Sequence, residues 1–508
     1  MVEKQKDNLH LLVWGVLSLM IALSAVKLGV IDDTYWHVKV GEWILQHHEI
    51  PSTGIFSYSN AETPWTSHEW LAAVFLHLIF HNSGWAGLYT AMIISLFLSM
   101  VLLLQFLLKR LNTVQSLIFV LFAFLLVAFH TSPRPHLFVM PVMIYWSIQL
   151  VEASEKQSSP PFFMLPLMIF WVNFHGSFIV GIAFSVFFAV EAIFNASIEK
   201  RKVLILQWSC FTFICIICAM ISPHGINGLL LPFQLADQGV ALSRIVEWLS
   251  PNFHKFQPLE VWLLTFLAIA LWRGIKLPLF RLVFMLGLIH LSLKHVRHAS
   301  DLLSVLSPLI LATPLAKQLE VQSDLNFREL GFRGWKAWLF IGGSFAGIFF
   351  YLAEVRKIES DQAMQVQKVL KTLKREQDVL GNALNDYNVS QFMIYAGYST
   401  LIDTRAELYG DKFIKAYFEA MSLGEDATKL ESILKEYQIK WTLLLTSSPA
   451  NTYFGLQPQW LKLYKDKYIT IFIHQSVKLS SESIAAIRSL EIRALETQKN
   501  EDLEIVYH

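Results

Sequence analysis

Along this chain, apolar runs long enough to cross a bilayer alternate with short polar segments. A helix needs about 20 apolar residues to span the hydrocarbon layer, with about 17 to 25 tolerated. Candidate spans are residues 11–30, 86–107, 114–131, 137–151, 161–174, 177–195, 203–221, 259–272, 277–293, 301–315 and 335–353, eleven crossings of which several are short. The segment 161–174 is the weakest, being short and carrying Pro166. The run from Trp70 to Phe80 has only eleven residues and contains His77, with His81 just past it, so it reads as a helix lying along the interface.

Past residue 353 the pattern changes. Lys and Glu become frequent, and short apolar runs alternate with helical periodicity. A helix is expected at 360–378, strands at Ala383–Asn385, Thr400–Asp403, Trp441–Leu445 and Tyr468–His474, helices at 411–421 and 427–437, and a last helix from Glu482 to Thr497. The expected organisation is a transmembrane domain, residues 1–353, with a large first outer loop at 31–85, followed by a small α/β domain, residues 354–508. No internal repeat or low-complexity linker interrupts it.

Charge tests the count of crossings, because Lys and Arg gather on the cytoplasmic side. With the N-terminus inside, Lys109-Arg110, Lys156, Lys200-Arg201-Lys202, Arg273 with Lys276, and the stretch from Lys317 to Lys336 all fall in inner loops. Counting 70–80 as a crossing would reverse every later loop. An odd number of crossings then places the C-terminal domain outside the cytoplasm. The expected class is a polytopic α-helical membrane protein of about eleven transmembrane helices with a C-terminal extracytoplasmic α/β domain.

Composition agrees. With 54% hydrophobic residues, 16% charged residues and a mean hydropathy of +0.45, the 508-residue chain is too apolar for an ordinary soluble enzyme. Lys plus Arg (41) nearly balances Asp plus Glu (40), so no basic field argues for nucleic acid. Cys210, Cys215 and Cys218 lie in one apolar run and read as helix-packing residues. Lys4 and Lys6 precede the first apolar run, which ends without a small-residue cleavage signature, so an uncleaved first span is expected.

The inner loops hold little besides positive charge, whereas the outer ones carry the chemistry. Asp32 and Asp33 sit at the mouth of the first span beside Trp36 and His37. They are either solvated carboxylates that help cap a helix starting near Thr34, or a working pair. As a working pair they would be a general base for a hydroxyl, or would hold a divalent cation against a departing phosphate. His37, His68-Glu69 and His77 fit no compact zinc motif. For His68-Glu69 the plainer role is capping the interfacial helix.

Arg134 and His136 each sit beside a proline between two spans, at the depth of a lipid phosphate, which guanidinium groups bind in bidentate fashion. Lys294, His295, Arg297 and His298 break the positive-inside pattern by placing cations outside, which marks them as an anion site. Asn173 and His175 share a tight outer turn with Gly176, and His224-Gly225 follows Pro223. Glu247 would pair with Arg244 or serve as a second carboxylate.

At these residues the chain resembles a broad family of bacterial multispanning proteins with the GT-C glycosyltransferase architecture. The resemblance rests on Asp33-Thr34-Tyr35-Trp36-His37, Gly41, Pro51, Phe56-Ser57-Tyr58, Trp65, His68-Glu69-Trp70-Leu71, Arg134-Pro135-His136, Asn173-Phe174-His175-Gly176 and Glu247-Trp248. It continues through Asn385-Asp386-Tyr387, Ile402-Asp403-Thr404-Arg405, Glu407-Leu408-Tyr409-Gly410 and Pro458-Gln459-Trp460, so it covers most of the chain. It implies a polyprenyl-phosphate-sugar donor, an acidic catalytic group in the first outer loop, and transfer with inversion on the outer face of the bacterial inner membrane. That acidic role maps to Asp33, with Asp32 as its neighbour. Where family members often carry an acidic residue after the loop proline, this chain has Gly54, which leaves a metal in that loop unsupported.

The expected function is therefore an integral membrane glycosyltransferase acting on an extracytoplasmic glycan, lipid or protein. Arg134, His136, Lys294, His295, Arg297 and His298 would hold the donor phosphate, Asp33 would act as base, and His37, His68, Glu69, Asn173, His175, His224 and Glu247 would shape the site. Asp403, Arg405 and Tyr409 of the outer domain would contact the acceptor or be structural. The alternatives are a lipid or polysaccharide transporter and a non-catalytic envelope assembly protein. Transport is disfavoured because Lys27, Glu191 and Arg281 lie near span ends and not at mid-membrane.

Overall fold

The computed structural model describes residues 2–26, 33–128, 131–330, 335–355, 359–424 and 427–506. Asp32 lies outside the described residues, as do the ends of the expected spans 11–30 and 114–131. The chain divides into two compact units. The first comprises Met1–Val30, His68–Gln234 and Leu242–Ile358, and the second Ile31–Ser67, Leu235–Ala241 and Glu359–His508.

The first unit is helical, and each of the eleven apolar segments named above is helical over most of its described residues. Among the described residues, six helices are long and apolar enough to cross a membrane: Asn8–Ala25, Trp70–Leu107, Pro135–Lys156, Phe178–Asn195, Ile198–Ala219 and Val296–Gln318. Thr113–Ala128, Phe162–Phe174, Gly225–Ala236 and Ile341–Glu354 are shorter apolar helices. Gly225–Ala236, with Pro232 inside it, was not anticipated in the outer stretch 222–258. Pro258–Arg273 and Leu279–Lys294 are of 16 residues each.

The helix Trp70–Leu107 breaks at Gly84 (φ 57°, ψ −158°), which separates the short stretch bearing His77 from the span beyond it. A Cβ at this position would meet nothing within 4 Å, so the backbone conformation, not crowding, calls for glycine here. Trp146, Trp171 and Trp208 are wholly buried among the helices, while Phe194, Leu206, Leu271 and Trp272 stay more than half exposed. Large apolar side chains turned outward this way suit a hydrocarbon solvent. Cys215 and Cys218 are buried and Cys210 exposed, all as free thiols on Ile198–Ala219.

Ion pairs of this unit lie toward helix ends. The helix Pro135–Lys156 has 22 residues, a length of about 33 Å. Near its C-terminal end, Glu152 pairs with Lys109 (3.0 Å), Glu155 with Arg110 (2.8 Å), and Arg281 with both Glu191 (2.5 Å) and Glu155 (3.5 Å). These are residues of the expected inner loops and adjoining span ends. The residues of the expected outer loops gather at its N-terminal end, described below.

The second unit is built on a four-stranded sheet of β1 (Asn382–Asn385), β2 (Ile439–Leu445), β3 (Trp460–Lys465) and β4 (Ile469–His474), in the order β1-β2-β4-β3. The β1–β2 pair is parallel and the other two pairs are antiparallel. The expected strand Thr400–Asp403 is instead a loop. Thr400 forms a single bridge with Ser57, and the Asn385 side chain takes up the backbone of Leu401 and Ile402 in place of a ladder. Strand β3 escaped the sequence pattern because a register shift between Lys462 and Tyr464 breaks its alternation. The expected helices are present as Asp361–Leu373, Ala406–Met421, Thr428–Glu436 and Ser481–Val506.

Residues from the first outer loop belong to this unit by specific bonds. Tyr35 Oη–H donates to Glu359 (2.5 Å), Tyr58 Oη–H to the Ala383 carbonyl (2.6 Å), and Trp65 Nε1–H to Glu407 (2.9 Å).

Candidate functional site

In the first unit, the turn between Leu165–Phe174 and Phe178–Asn195 presents His175 to the start of Trp70–Leu107. Glu69 occupies the N-cap position of that helix, yet its carboxylate makes no capping hydrogen bond. Its Oε1 lies instead 3.5 Å from His175 Nε2 and 3.6 Å from His68 Nε2. The capping role considered for His68-Glu69 is therefore not what holds Glu69. Asn173 locks the same corner: its Oδ1 accepts from Trp70 Nε1–H (2.8 Å), and its amide donates to the carbonyls of Ile169 and Ile221 (2.8 Å each). His136 lies 6.1 Å from His175 between ring centroids.

The His175 tautomer follows from its neighbours. Its Nδ1 accepts the backbone N–H of Ser177 (3.1 Å), so it carries no proton there. The Ser177 hydroxyl donates to the same Nδ1 (2.7 Å) and itself accepts from Trp171 Nε1–H (2.9 Å). The ring proton thus sits on Nε2, aimed at Glu69. Burial pushes the His175 pKa down to about 3, against the opposing pull of the Glu69 charge. The ring is a neutral, one-way donor.

Two arginines of this unit, Arg134 and Arg297, are engaged rather than open. Arg134, which precedes the helix Pro135–Lys156, pairs with Glu247. Arg134 is a partner that neither expectation for Glu247 named. Arg297 pairs with Asp301 (3.4 Å) and lies over the Trp248 ring (4.9 Å). Asp301 sits in the π-helical stretch Ala299–Leu303, a distortion that often marks functional positions. His295 Nδ1–H donates to the Trp248 carbonyl (2.6 Å), and His298 packs edge-on to both Trp248 and His295. Lys294 is exposed at the end of Leu279–Lys294, and His224 is half-buried on the turn before Gly225–Ala236.

Asp301, Trp171 and Ser177 were not singled out from the sequence. The Arg297–Asp301 spacing of four was a readable signal. The other two pass for ordinary packing residues.

In the second unit, Asp33 precedes the helix Thr34–His47, and its carbonyl accepts the His37 N–H (3.2 Å). Its carboxylate does not cap that helix. His37 is buried and stacks on Trp36, with ring centroids 3.7 Å apart. Trp36 in turn meets Trp65 edge-on at 6.4 Å. Burial, then the charges of Asp33, Asp403 and Glu407, raise the Tyr387 hydroxyl well above the usual phenol range. Asp33 therefore acts electrostatically on the same tyrosine as two acids of the C-terminal segment.

Asp403, Arg405 and Tyr409 form one closed group. Arg405 donates from Nε (2.9 Å) and Nη2 (2.7 Å) to the two oxygens of Asp403, whose Oδ2 also accepts from Tyr409 Oη–H (2.7 Å). Both ionic side chains are buried. Burial alone would raise the Asp403 pKa, but the Arg405 charge and these hydrogen bonds hold it below the usual carboxylate range. Trp65 and Phe56 cover the guanidinium at 4.6 and 5.6 Å.

Among the described residues, no three His, Cys, Asp or Glu side chains converge to hold a metal ion.

No family model matches the chain, and no curated protein matches it by sequence. By structure, it is similar to the archaeal oligosaccharyltransferase AglB from Archaeoglobus fulgidus, solved in complex with an inhibitory peptide and a dolichol-phosphate. That likeness has a TM-score of 0.50 at 10% identity, covering 87% of this chain and 70% of AglB. A second similarity is to ArnT from Cupriavidus metallidurans, solved bound to undecaprenyl phosphate, with a TM-score of 0.45 at 12% identity over 92% of this chain and 99% of ArnT. What the AglB likeness shows is the fold: this chain is built on the multispanning GT-C architecture that its motifs resemble.

Proposed function

We propose that this protein is an integral membrane glycosyltransferase that moves a sugar from a polyprenyl-phosphate-linked donor to an acceptor outside the cytoplasm, in the inner membrane of a bacterium. The observation that carries the reading is the chemistry gathered on this fold. Arg134, His136, Arg297, His295 and His298 sit at helix ends of the first unit, Arg134 and Arg297 within reach of carboxylates that anionic substrate oxygens can replace. AglB was solved with a dolichol-phosphate, and the same class of lipid phosphate suits these cations.

In this reading the acceptor hydroxyl gives its proton to Asp33 as its oxygen attacks the anomeric carbon. The bond from that carbon to the phosphate oxygen breaks, and polyprenyl phosphate leaves with the electron pair, inverting the anomeric centre. Arg134, Arg297 and the neighbouring histidines, with Lys294 exposed beside them, stabilise the charge that grows on the leaving phosphate. Such electrostatic help is the largest single contribution in many enzymes.

The test is release of free polyprenyl phosphate by purified protein from a panel of lipid-linked sugars with a crude envelope acceptor. Wild type should turn over at least one donor, and Asp33→Asn should lower turnover about 100-fold or more while the melting temperature holds. Equal turnover by the variant removes Asp33 from the reaction.

A further inference from the structure

A cavity of about 190 Å³ lies in the first unit between the helices Thr113–Ala128, Pro258–Arg273 and Ser304–Gln318, with Phe119, Phe122, Phe266 and Leu315 among its walls. An apolar cavity of about 150 Å³ stays dry and admits benzene, so this one has room for a stretch of hydrocarbon chain. Ile118 and Ile269 line it and are also exposed, so it opens on the outside of the bundle. Left empty, its walls forfeit the dispersion contacts that such a chain supplies. From Gln115 to Phe122 the lining runs about 10 Å along its helix, within the roughly 15 Å of one hydrocarbon leaflet.

The cavity sits at the end of the unit away from the Arg134–Glu247 pair. Arg110 Nε–H donates to Thr313 Oγ1 (2.9 Å), and the same guanidinium pairs with Glu155 near the C-terminal end of Pro135–Lys156, whereas Arg134 precedes the N-terminal end of that helix. Three exposed cations, Arg273, Lys276 and Lys317, lie in the last turns of the cavity's helices or just past them. The Lys276 backbone N–H bonds to Gln318 Oε1 (2.8 Å), which draws two of these ends together. Exposed Trp272, with Arg273 over its ring at 4.6 Å, suits the depth of a membrane interface. Of the acids near in sequence, Asp324 accepts from the Thr113 N–H and hydroxyl (2.7 Å each), and Glu320 is exposed. In the wall itself, Gln115 Oε1 is buried with no hydrogen-bond partner among the described residues. Half a turn of that amide presents an N–H to an acceptor in the cavity instead.

We propose that this cavity binds an acyl chain of one anionic glycerophospholipid, whose phosphate meets Arg273, Lys276 and Lys317 and whose ester carbonyl accepts from the Gln115 amide. The site is separate from the cations assigned to the donor phosphate and does not depend on the transferase reading. A polyprenyl phosphate carries the charge but no ester carbonyl. A phosphatidylcholine carries the carbonyl but no net charge.

The experiment is native mass spectrometry of the full-length protein, stripped of lipid in detergent and titrated with phosphatidylglycerol, phosphatidylcholine or undecaprenyl phosphate, with melting curves to verify folding. Wild type should bind one phosphatidylglycerol at least tenfold more tightly than phosphatidylcholine. Ile118→Trp, which puts an indole into the cavity, should abolish that binding. The surface triple variant Arg273→Gln, Lys276→Gln, Lys317→Gln, which leaves the packing intact, should weaken phosphatidylglycerol about tenfold or more and leave phosphatidylcholine unchanged. Gln115→Leu should weaken both phospholipids about threefold, the loss of one hydrogen bond. Undecaprenyl phosphate should bind wild type and Ile118→Trp alike. Equal affinity for the two phospholipids, or phosphatidylglycerol binding untouched by the triple variant, overturns the proposal. Undecaprenyl phosphate displaced by Ile118→Trp gives the cavity to the isoprenoid lipid and overturns it as well.

Discussion

The two units use the same residue types in opposite ways. In the second, Asp403, Arg405 and Tyr409 are buried together and exchange three short hydrogen bonds, two of them a fork between guanidinium and carboxylate. In the first, Arg134 and Glu247 keep 14% and 31% exposure, and Glu69 touches its imidazoles at distances beyond hydrogen bonding. The first arrangement holds chain segments together. The second leaves its charged groups partly exposed. Motif residues of both kinds look alike in a sequence, and only their surroundings separate structural from chemical duty.

The sharpest way to break this contrast is Asp403→Ala. It strands a buried guanidinium, at a cost of about 3 to 5 kcal/mol, and should make the second unit sensitive to limited proteolysis. Replacing both partners, Asp403→Leu with Arg405→Met, should recover part of that loss, since two apolar side chains leave no charge unpaired. If Asp403→Ala melts like wild type but loses turnover, the closed group belongs to the chemistry and the contrast fails.

Next in size is Arg134→Gln. The ion pair it removes is partly exposed, so stability should change by about 1 kcal/mol or less. Release of polyprenyl phosphate should nevertheless fall about 100-fold, through kcat, if the guanidinium works on the leaving group. A large melting shift with little kinetic change would place Arg134 with Arg405 instead.

The smallest effect is a pH dependence of folding. His175 has a folded pKa of about 3 against about 6.5 for an ordinary histidine. Below pH 6.5 the unfolded chain takes up a proton that the folded ring refuses, so stability falls as the medium is acidified from 6.5 toward 3. The slope is about 1.4 kcal/mol per pH unit at most. The groups facing the ring are Glu69, His68, His136 and Arg297. Melting curves of wild type and His175→Gln at pH 7.5 and 5.0 should diverge only at the lower pH, where wild type loses more. Parallel curves would mean that the ring is open to solvent.

Much of this was legible because the bilayer imposes its own period. Every apolar segment read as a span is helical over most of its described residues, and the Lys- and Glu-rich α/β pattern after residue 353 holds the sheet β1–β4. What stayed hidden is what local pattern cannot carry. Tyr58 and Ala383 are 325 positions apart, and nothing near Tyr58 announces that its hydroxyl meets a strand end. The Thr400–Asp403 run has strand-like residues, but the Asn385 side chain takes up the Leu401 N–H and the Ile402 carbonyl that a ladder would need. At the candidate site, His68, Glu69, Asn173 and His175 were visible as polar residues at helix ends. Ser177 and Trp171 were not, because six-residue spacing across a turn is no helical or strand period.

The bonds from Tyr35, Tyr58 and Trp65 to Glu359, Ala383 and Glu407 also set an order for biosynthesis. Ribosomes add about 5 to 20 residues per second, so roughly 15 to 60 s separate the emergence of the early segment from that of its partners. Throughout that interval the nascent chain carries aromatic side chains whose destination does not yet exist. The second unit can therefore close only after most of the polypeptide has been synthesised, and a ribosome stalled before residue 359 would leave those aromatics exposed to chaperones and proteases.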